Sequence, residues 1–367
     1  MPDALAAAYD VLLLDLDGVV YIGANPIPGA PEALQRAKQA GVHLAYVTNN
    51  ASRTPAAVAG LLSGMGAPAT ADDVVTSAQA AARLLADKLA PKSKVLVIGS
   101  TALRLAVRER GLLPVSTASE NPLAVVQGYG PGLDYSAFAE GGLAVRAGAI
   151  FVGTNADSTL PGPRGTQPGN GSLLKVIANA TGVDPVIAGK PEPPLHRESV
   201  IRTGARHPLV IGDRLDTDIE AAYNTGTDSL FVLTGVDTPR SVVLAPPHRR
   251  PTYIAANLDA LLEPYPEVTR SKADANTVPD ANTVPDANTV PDANTVPDAN
   301  TAAACGGWTA SAPAEDGALT LTGDGAAIDG LRALAAAAWA ARDSRGGLEA
   351  DQVASALDRL AAAGLRI

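Results

Sequence analysis

Asp15 and Asp17 stand two apart at the end of an unbroken aliphatic run, residues 11–14, and Gly18 breaks the chain behind them. Such a run reads as a strand buried on both faces of a parallel sheet. Residues two apart in extended chain point the same way. The two carboxylates therefore sit side by side at the strand's carboxyl end, where open α/β sheets bind their ligands. Adjacent carboxylates repel. A hard cation between them justifies the pair, as does a carboxylate nucleophile beside an acid/base partner; a polar turn capping the next segment is the plainer alternative. Three more polar groups end aliphatic runs. Thr48, followed by Asn49-Asn50-Ala51-Ser52-Arg53, ends residues 42–47; these groups suit phosphate oxygens, and Ser52 or Thr54 also suits the cap of a helix starting near Pro55. Lys190 lies in a tight turn between Gly189 and Pro191, after which residues 191–203 read as a helix. Asp213 follows Gly212 at the tip of 208–211, with Asp216 and Asp218 behind it, where they would also favour a helix start electrostatically.

The elements that must position these groups alternate. Residues 32–40 read as a helix after a turn-rich flap (25–31), and from about Thr70 a second α/β pattern begins, with strands expected at 94–98, 124–127 and 149–153. Asn155, Asp157 and Thr159 follow the last of these. The glycine-rich stretch 128–132 is read as a connecting loop, because Pro131 removes a donor that a phosphate cradle would use. Residues 229–233 and 253–254 supply two more strands. The alternation predicts an α/β class with a doubly wound parallel sheet. No G-x-G-x-x-G and no P-loop sequence occurs, which argues against dinucleotide binding and P-loop NTPase chemistry.

Composition narrows the function classes. Hydrophobic residues make up 46% of the 367 and aromatics only 4%, so the cores must be aliphatic and alanine-rich. The formal net charge is −10, but Asp274, Asp280, Asp286, Asp292 and Asp298 lie in one repetitive stretch. What remains is mildly acidic and offers no basic face for nucleic acid. Cys305 is the single cysteine, which excludes a disulfide framework and fits a reducing cytoplasm. The N-terminus has no basic n-region, and no stretch reaches membrane-spanning length without Gly, Pro or charge; a soluble cytoplasmic protein with no membrane partner is expected.

In their order and chemistry, Asp15/Asp17, Thr48, Lys190 and Asp213 resemble the four hallmark motifs of the haloacid dehalogenase (HAD) superfamily of phosphohydrolases. The stretches DLDGVVY, VTNNAS, GKPEPP and IGDRLDTDI are similar to its nitrophenylphosphatase-like and NagD-like subfamily, over about residues 8–264. Within that subfamily the alanine-rich chain with its C-terminal extension is most similar to the actinobacterial glycerol-3-phosphate phosphatases. The resemblance implies a HAD-like core at 1–82 and 188–264 and an inserted α/β cap domain at 83–187. The long interval between Thr48 and Lys190 has room for that cap, whereas the interval between Asp17 and Thr48 does not.

The resemblance also implies the chemistry. Asp15 would attack phosphorus, and Asp17 would protonate the leaving alkoxide and later accept a proton from water. Mg²⁺ would be bound by Asp15, Asp213 and the backbone carbonyl of Asp17, with Asp218 holding one of its waters. Thr48 and Lys190 complete the catalytic set, holding phosphoryl oxygens. Gly18, Thr48, Asn49, Lys190, Asn155 and Asp157 are the expected substrate-binding residues; Asn49 would orient Asp15 or a phosphate oxygen, or serve only as a turn residue. The substrate is a small phosphomonoester, glycerol 3-phosphate first, with 2-phosphoglycolate, a nucleotide or pyridoxal phosphate as competitors. A phosphate-ligand sensor on the same fold is the non-catalytic alternative.

Residues 265–302 carry a DANTVP repeat whose proline and single valine per copy allow neither helix nor core, so a disordered linker is expected. Residues 303–367 then form a small C-terminal α/β appendage. It has strand candidates near Thr309 and at 319–321, and helices at 328–342 and 348–363. Its make-up resembles part of an acyltransferase fold, without a visible acyl-CoA site. Too small to be robust alone, it is expected to dock on the core or on a second subunit, which leaves a homo-oligomer open.

Overall fold

The computed structural model describes residues 4–162, 164–272, 301–312 and 317–366. In chain order the parallel strands are β1 (Val11–Leu14), β2 (His43–Thr48), β3 (Val74–Thr76), β4 (Lys94–Ile98), β5 (Leu113–Val115), β6 (Ala124–Gln127), β7 (Ile150–Gly153), β8 (Val186–Ile187), β9 (Pro208–Gly212), β10 (Asp228–Val232) and β11 (Tyr253–Ala255). They form two sheets, one in the order β11-β10-β9-β1-β2-β3 and the other β8-β7-β6-β4-β5. β1 lies inside the first sheet between β9 and β2, with Leu14 opposite Ile211 on one side and Tyr46 on the other. Its hydrophobic run is continuous because both faces are covered. Leu12 and Leu14 face the cluster built with α1 (Ala30–Gln39) and α2 (Pro55–Gly64), while Val11 and Leu13 face α3 (Ser77–Ala86).

The second sheet shares that last cluster. Val95, Val97 and Val126 from its strands, and Leu103 and Val107 from α4 (Thr101–Glu109), pack with the alanines of α3 and with Leu195 of α5 (Pro193–Thr203). A fully buried carboxylate, Glu198 of α5, ties the same three helices. It pairs with Arg83 of α3, and with Arg110, the C-cap of α4, at 2.6 Å. Two expectations need correction. The pattern restarting near Thr70 includes β3, which belongs to the first sheet because Thr76 continues the ladder from Thr48. The expected boundary between residues 82 and 83 falls inside α3.

A third sheet is antiparallel: β12 (Thr269–Lys272), β13 (Thr301–Cys305), β14 (Trp308–Ser311) and β15 (Thr320–Gly323), in that order. The span expected as linker, 265–302, therefore begins and ends in paired strands, since Lys272 lies opposite Thr301. The repeats at 273–300 lie outside the described residues. Two strands were expected in the appendage, whereas the sheet has four. α6 (Pro239–Val243) belongs to the first unit, and α7 (Ala327–Arg345) lies between it and the third sheet, with α8 (Ala350–Ala362) alongside. The alanine run 335–338 lets α7 be buried on nearly all sides, because small side chains let backbone approach both neighbours.

This docking is polar as well as apolar. Trp339 Nε1 donates to the Val242 carbonyl at 2.9 Å, and Arg342 donates to the Leu244 carbonyl at 2.6 Å. Buried Arg332 donates to the Ile254 carbonyl at 2.8 Å, pairs with Asp329 at 2.5 Å and lies over the Tyr265 ring. Leu215 and Ile219, which flank Asp218, belong to the same apolar cluster as the C-terminal helices. No helix among the described residues is long and apolar enough to cross a membrane. Arg332→Ala should lower stability by about 3 kcal/mol, since it leaves the largely buried Asp329 carboxylate without its cation and the Ile254 carbonyl with only the longer bond from the Tyr265 hydroxyl. Both tryptophans lie in the C-terminal segment, so urea unfolding followed by their fluorescence reads this directly; an unchanged midpoint would mean that Arg332 contributes no net docking energy.

Candidate active site

The carboxyl ends of β1, β2 and β9 share one edge of the first sheet, and the loop before α5 folds onto it. Asp15 continues the ladder beyond β1, its N–H donating to the Ile211 carbonyl at 2.9 Å. The chain then turns through Gly18, whose φ of 88° requires glycine, into the short hairpin Tyr21–Ile22 and Asn25–Pro26. Asp213 stands at the tip of β9 and is fully buried, one oxygen accepting the Val236 N–H at 2.7 Å. Its other oxygen, Oδ1, has no hydrogen-bond partner. Gly18 and Gly235 crowd this carboxylate so closely that a methyl on either would overlap it. Carboxylate oxygens of Asp15, Asp213 and Asp218 lie within 4.8 Å of one another.

One ammonium faces this group. Lys190 Nζ donates to Asp15 Oδ1, to Asp218 Oδ1 at 2.6 Å and to the Val47 carbonyl at 3.3 Å, so all three of its donors are used. Burial works against its charge, but Asp15 and Asp218 overcome that and hold the ammonium firmly protonated. One cation does not balance three carboxylates. Burial first, then Asp218 and Asp15, push Asp213 above the usual carboxylate range. Asp218 is pushed up by burial as well, against the pull of Lys190. A buried carboxylate oxygen without a donor, inside an all-oxygen set with excess negative charge, fits a hard divalent cation.

Asp17 stands outside the three-carboxylate group, and burial raises its carboxyl, opposed by the Gly23 N–H and by Arg214. Burial, then Asp15 and Asp17, push the Tyr21 phenol up to about 12. Thr48 is buried at the end of β2, and its hydroxyl accepts the Asn50 N–H at 3.1 Å. Asn49 neither touches Asp15 nor leaves its amide free. Its Oδ1 accepts the Lys190 N–H, and its Nδ2 donates to the Lys190 carbonyl and to Asp157. Asn155 donates to the Asn49 carbonyl at 2.8 Å, so both expected residues of the inserted segment reach the core through Asn49. Two contributors escaped the sequence reading. Val236 holds Asp213, and Thr234 donates to the Gly18 carbonyl at 2.6 Å. Both follow β10, so the strand-end rule applied to that run would have found them.

Comparison with known proteins shows what the chain is similar to. Residues 12–113 match the haloacid dehalogenase-like hydrolase family, and 187–261 match a second HAD-hydrolase-like family. Residues 305–362 match the GCN5-related N-acetyltransferase like domain. D-glycerol 3-phosphate phosphatase of Mycobacterium tuberculosis is 49% identical over 258 residues, 70% of this chain and 72% of that protein. The 5'-nucleotidase YutF of Bacillus subtilis is 42% identical over 62% of this chain and 88% of its own length. A crystal structure of glycerol phosphate phosphatase from M. tuberculosis in complex with magnesium superposes with a TM-score of 0.80, at 38% identity, over 98% of this chain and 99% of that one.

The raised carboxyls make stability depend on pH. Folded Asp213 and Asp218 keep protons that the unfolded chain releases, so their contribution is full below the ordinary carboxylate pKa and is lost as pH rises through the raised values. With divalent cations chelated, the thermal midpoint should fall between about pH 5 and pH 8, and Asp213→Asn should flatten that fall. A midpoint that rises over this range in the chelated protein would contradict the charge imbalance.

Proposed function

The chain belongs to the haloacid dehalogenase-like hydrolases and is a phosphoric monoester hydrolase, and we propose that it hydrolyses a small phosphomonoester, glycerol 3-phosphate first, through an aspartyl phosphate on Asp15. The observation that carries this reading is the Lys190 ammonium seated between Asp15 and Asp218 with Asp213 alongside. Phosphate monoesters are anionic and react slowly unaided, so charge neutralisation and positioning supply most of the catalysis.

In the proposed mechanism an Asp15 oxygen attacks phosphorus as the bond to the leaving alkoxide breaks. Asp17, whose carboxyl burial shifts upward, gives that alkoxide its proton. The same carboxylate then takes a proton from the water that cleaves the phosphorus–Asp15 bond, which frees phosphate and restores Asp15. Lys190 orients Asp15 and brings positive charge to the transferring group; direct contact with a phosphoryl oxygen requires exchange of one of its three present bonds. Thr48, at the same edge, supplies a hydroxyl to the phosphoryl oxygens. Asp15 and Asp213, with the backbone carbonyl of Asp17 and with Asp218 alongside, would hold Mg²⁺, which supplies charge neutralisation at the phosphoryl oxygens.

Glycerol 3-phosphate leads because relatives named for glycerol phosphate hydrolysis match at 49% identity over 70% of the chain and, as a solved structure, at 38% identity over 98% of it. The 5'-nucleotidase relative supports a nucleotide as the second reading. A panel of glycerol 3-phosphate, 2-phosphoglycolate, pyridoxal phosphate and nucleoside monophosphates, assayed for kcat/KM with Mg²⁺ and with chelator, ranks them. A nucleotide preference above tenfold would replace the first substrate, and equal rates in chelator would remove the metal. Asp15→Asn should abolish turnover with the fold retained. Lys190→Ala should cost on the order of 3 kcal/mol in kcat/KM, comparable to removing one donor from an oxyanion site. Substantial hydrolysis by Asp15→Asn would require a different nucleophile.

A further inference from the structure

Asn49 joins three distant parts of the chain through one residue. Its Oδ1 accepts the Lys190 N–H at 2.8 Å and its Nδ2 donates to the Lys190 carbonyl at 3.1 Å, so a single amide brackets that residue's backbone. The same Nδ2 donates at 3.2 Å to Asp157, in the loop after β7. The Asn49 carbonyl accepts from Asn155 Nδ2 at 2.8 Å and from Ser77 Oγ at 2.6 Å. Local turn duty falls to its neighbour instead, since Asn50 Oδ1 accepts both the N–H and the hydroxyl of Ser52. Gly189 permits the approach. A methyl there would lie 2.5 Å from Asn49 Oδ1 and 2.6 Å from the Thr154 carbonyl.

A lysine ammonium ends a flexible four-carbon stem, so its place is defined only if the backbone below it is fixed. We propose that Asn49 is a positioning residue that ties the seating of the 155–157 loop to the placement of Lys190 Nζ against Asp15. The inference rests on the reading of Lys190 as the cation that acts on the transferring phosphoryl group. The amide binds the loop from the second sheet and the backbone of the catalytic lysine with the same NH₂, so loosening one bond loosens the other. Rate therefore depends on whether the loop is seated, without any substrate contact by Asn49 itself.

The test is a set of double-mutant cycles on the full chain, with p-nitrophenyl phosphate as the probe. Asn49→Ala should lower kcat about 30-fold, as a misplaced catalytic group does, while KM stays within about threefold. Asp157→Ala should lower kcat about fivefold, and the Asn49→Ala/Asp157→Ala double variant should be no worse than Asn49→Ala alone. In a Lys190→Ala background, adding Asn49→Ala should cost less than about twofold more. Asn49→Asp guards against a folding artefact. It keeps the volume and the bond to the Lys190 N–H but loses both donations, and in an Asp157→Ala background, where no carboxylate faces it, kcat should fall below that of Asp157→Ala while the melting temperature holds. An undiminished Asn49→Ala effect in the Lys190→Ala background, or a rise in KM with kcat kept, overturns the inference and points to a substrate ligand. Full activity in Lys190→Ala alone brings down the reading of Lys190 first, and the inference with it.

Discussion

Three carboxylates converge where water is largely excluded, and one ammonium stands between two of them. Burying like charges together is unfavourable unless opposite charge or donors compensate, and Lys190 compensates only in part. Asp213 keeps an oxygen without a donor and Asp218 spends one oxygen on the lysine. The architecture around the site follows from holding this arrangement still. A parallel sheet puts the ends of β1, β2 and β9 on one edge, and glycines at 18 and 235 remove the side chains that would displace Asp213. Such a site suits a cation, because the Lys190 ammonium offsets only part of the charge of three carboxylates.

Lys190 belongs to a loop held from both sides. Ahead of it, Asn49 brackets its backbone and reaches Asp157. Behind it begins α5, whose buried Glu198 pairs with Arg83 and Arg110. The two ties differ in kind. Glu198 is fully enclosed, and breaking a buried pair strands a charge, so this connection behaves as a fixed joint between the helices. Asn49 and Asp157 are only half-buried, and their bond at 3.2 Å is longer than the Arg110–Glu198 pair at 2.6 Å. The second sheet is thus held to the first by the shared apolar cluster and the buried Glu198 joint, and beside the reacting groups by the hydrogen bonds at Asn49.

The C-terminal segment completes the support from another side. Leu215 and Ile219, on the turn that carries Asp218, pack in the same cluster as Leu331, Leu334 and the alanines of α7. Its match to an N-acetyltransferase-like family falls in the part of the chain that packs against the first unit. Trp339, Arg342 and Arg332 each donate to a carbonyl of the first unit, which fixes the orientation of α7 rather than merely burying it.

The sequence by itself determined the chemistry-bearing strand ends. Aliphatic runs interrupted by Asp15 and Asp17, by Thr48 and by Asp213 are local signals, and parallel sheets align such ends by geometry alone. The helices at 30–39 and 327–345 were likewise legible to within a few residues, because amphipathic or alanine-rich periodicity is local too. What the tertiary structure decided is non-local. Nothing near Asn49 in the chain indicates that its amide would close on Lys190 and Asp157 rather than on a phosphate oxygen. Gly235 matters only because folding brings it against Asp213. β12 could not be read as a strand, since four residues such as Thr269–Lys272 gain strand identity from the partner opposite them, and that partner, β13, lies beyond the repeats. Local pattern specifies which residues carry charge and which strand ends present it; only the packed chain specifies which of those charges meet, and so which are left without a counter-charge.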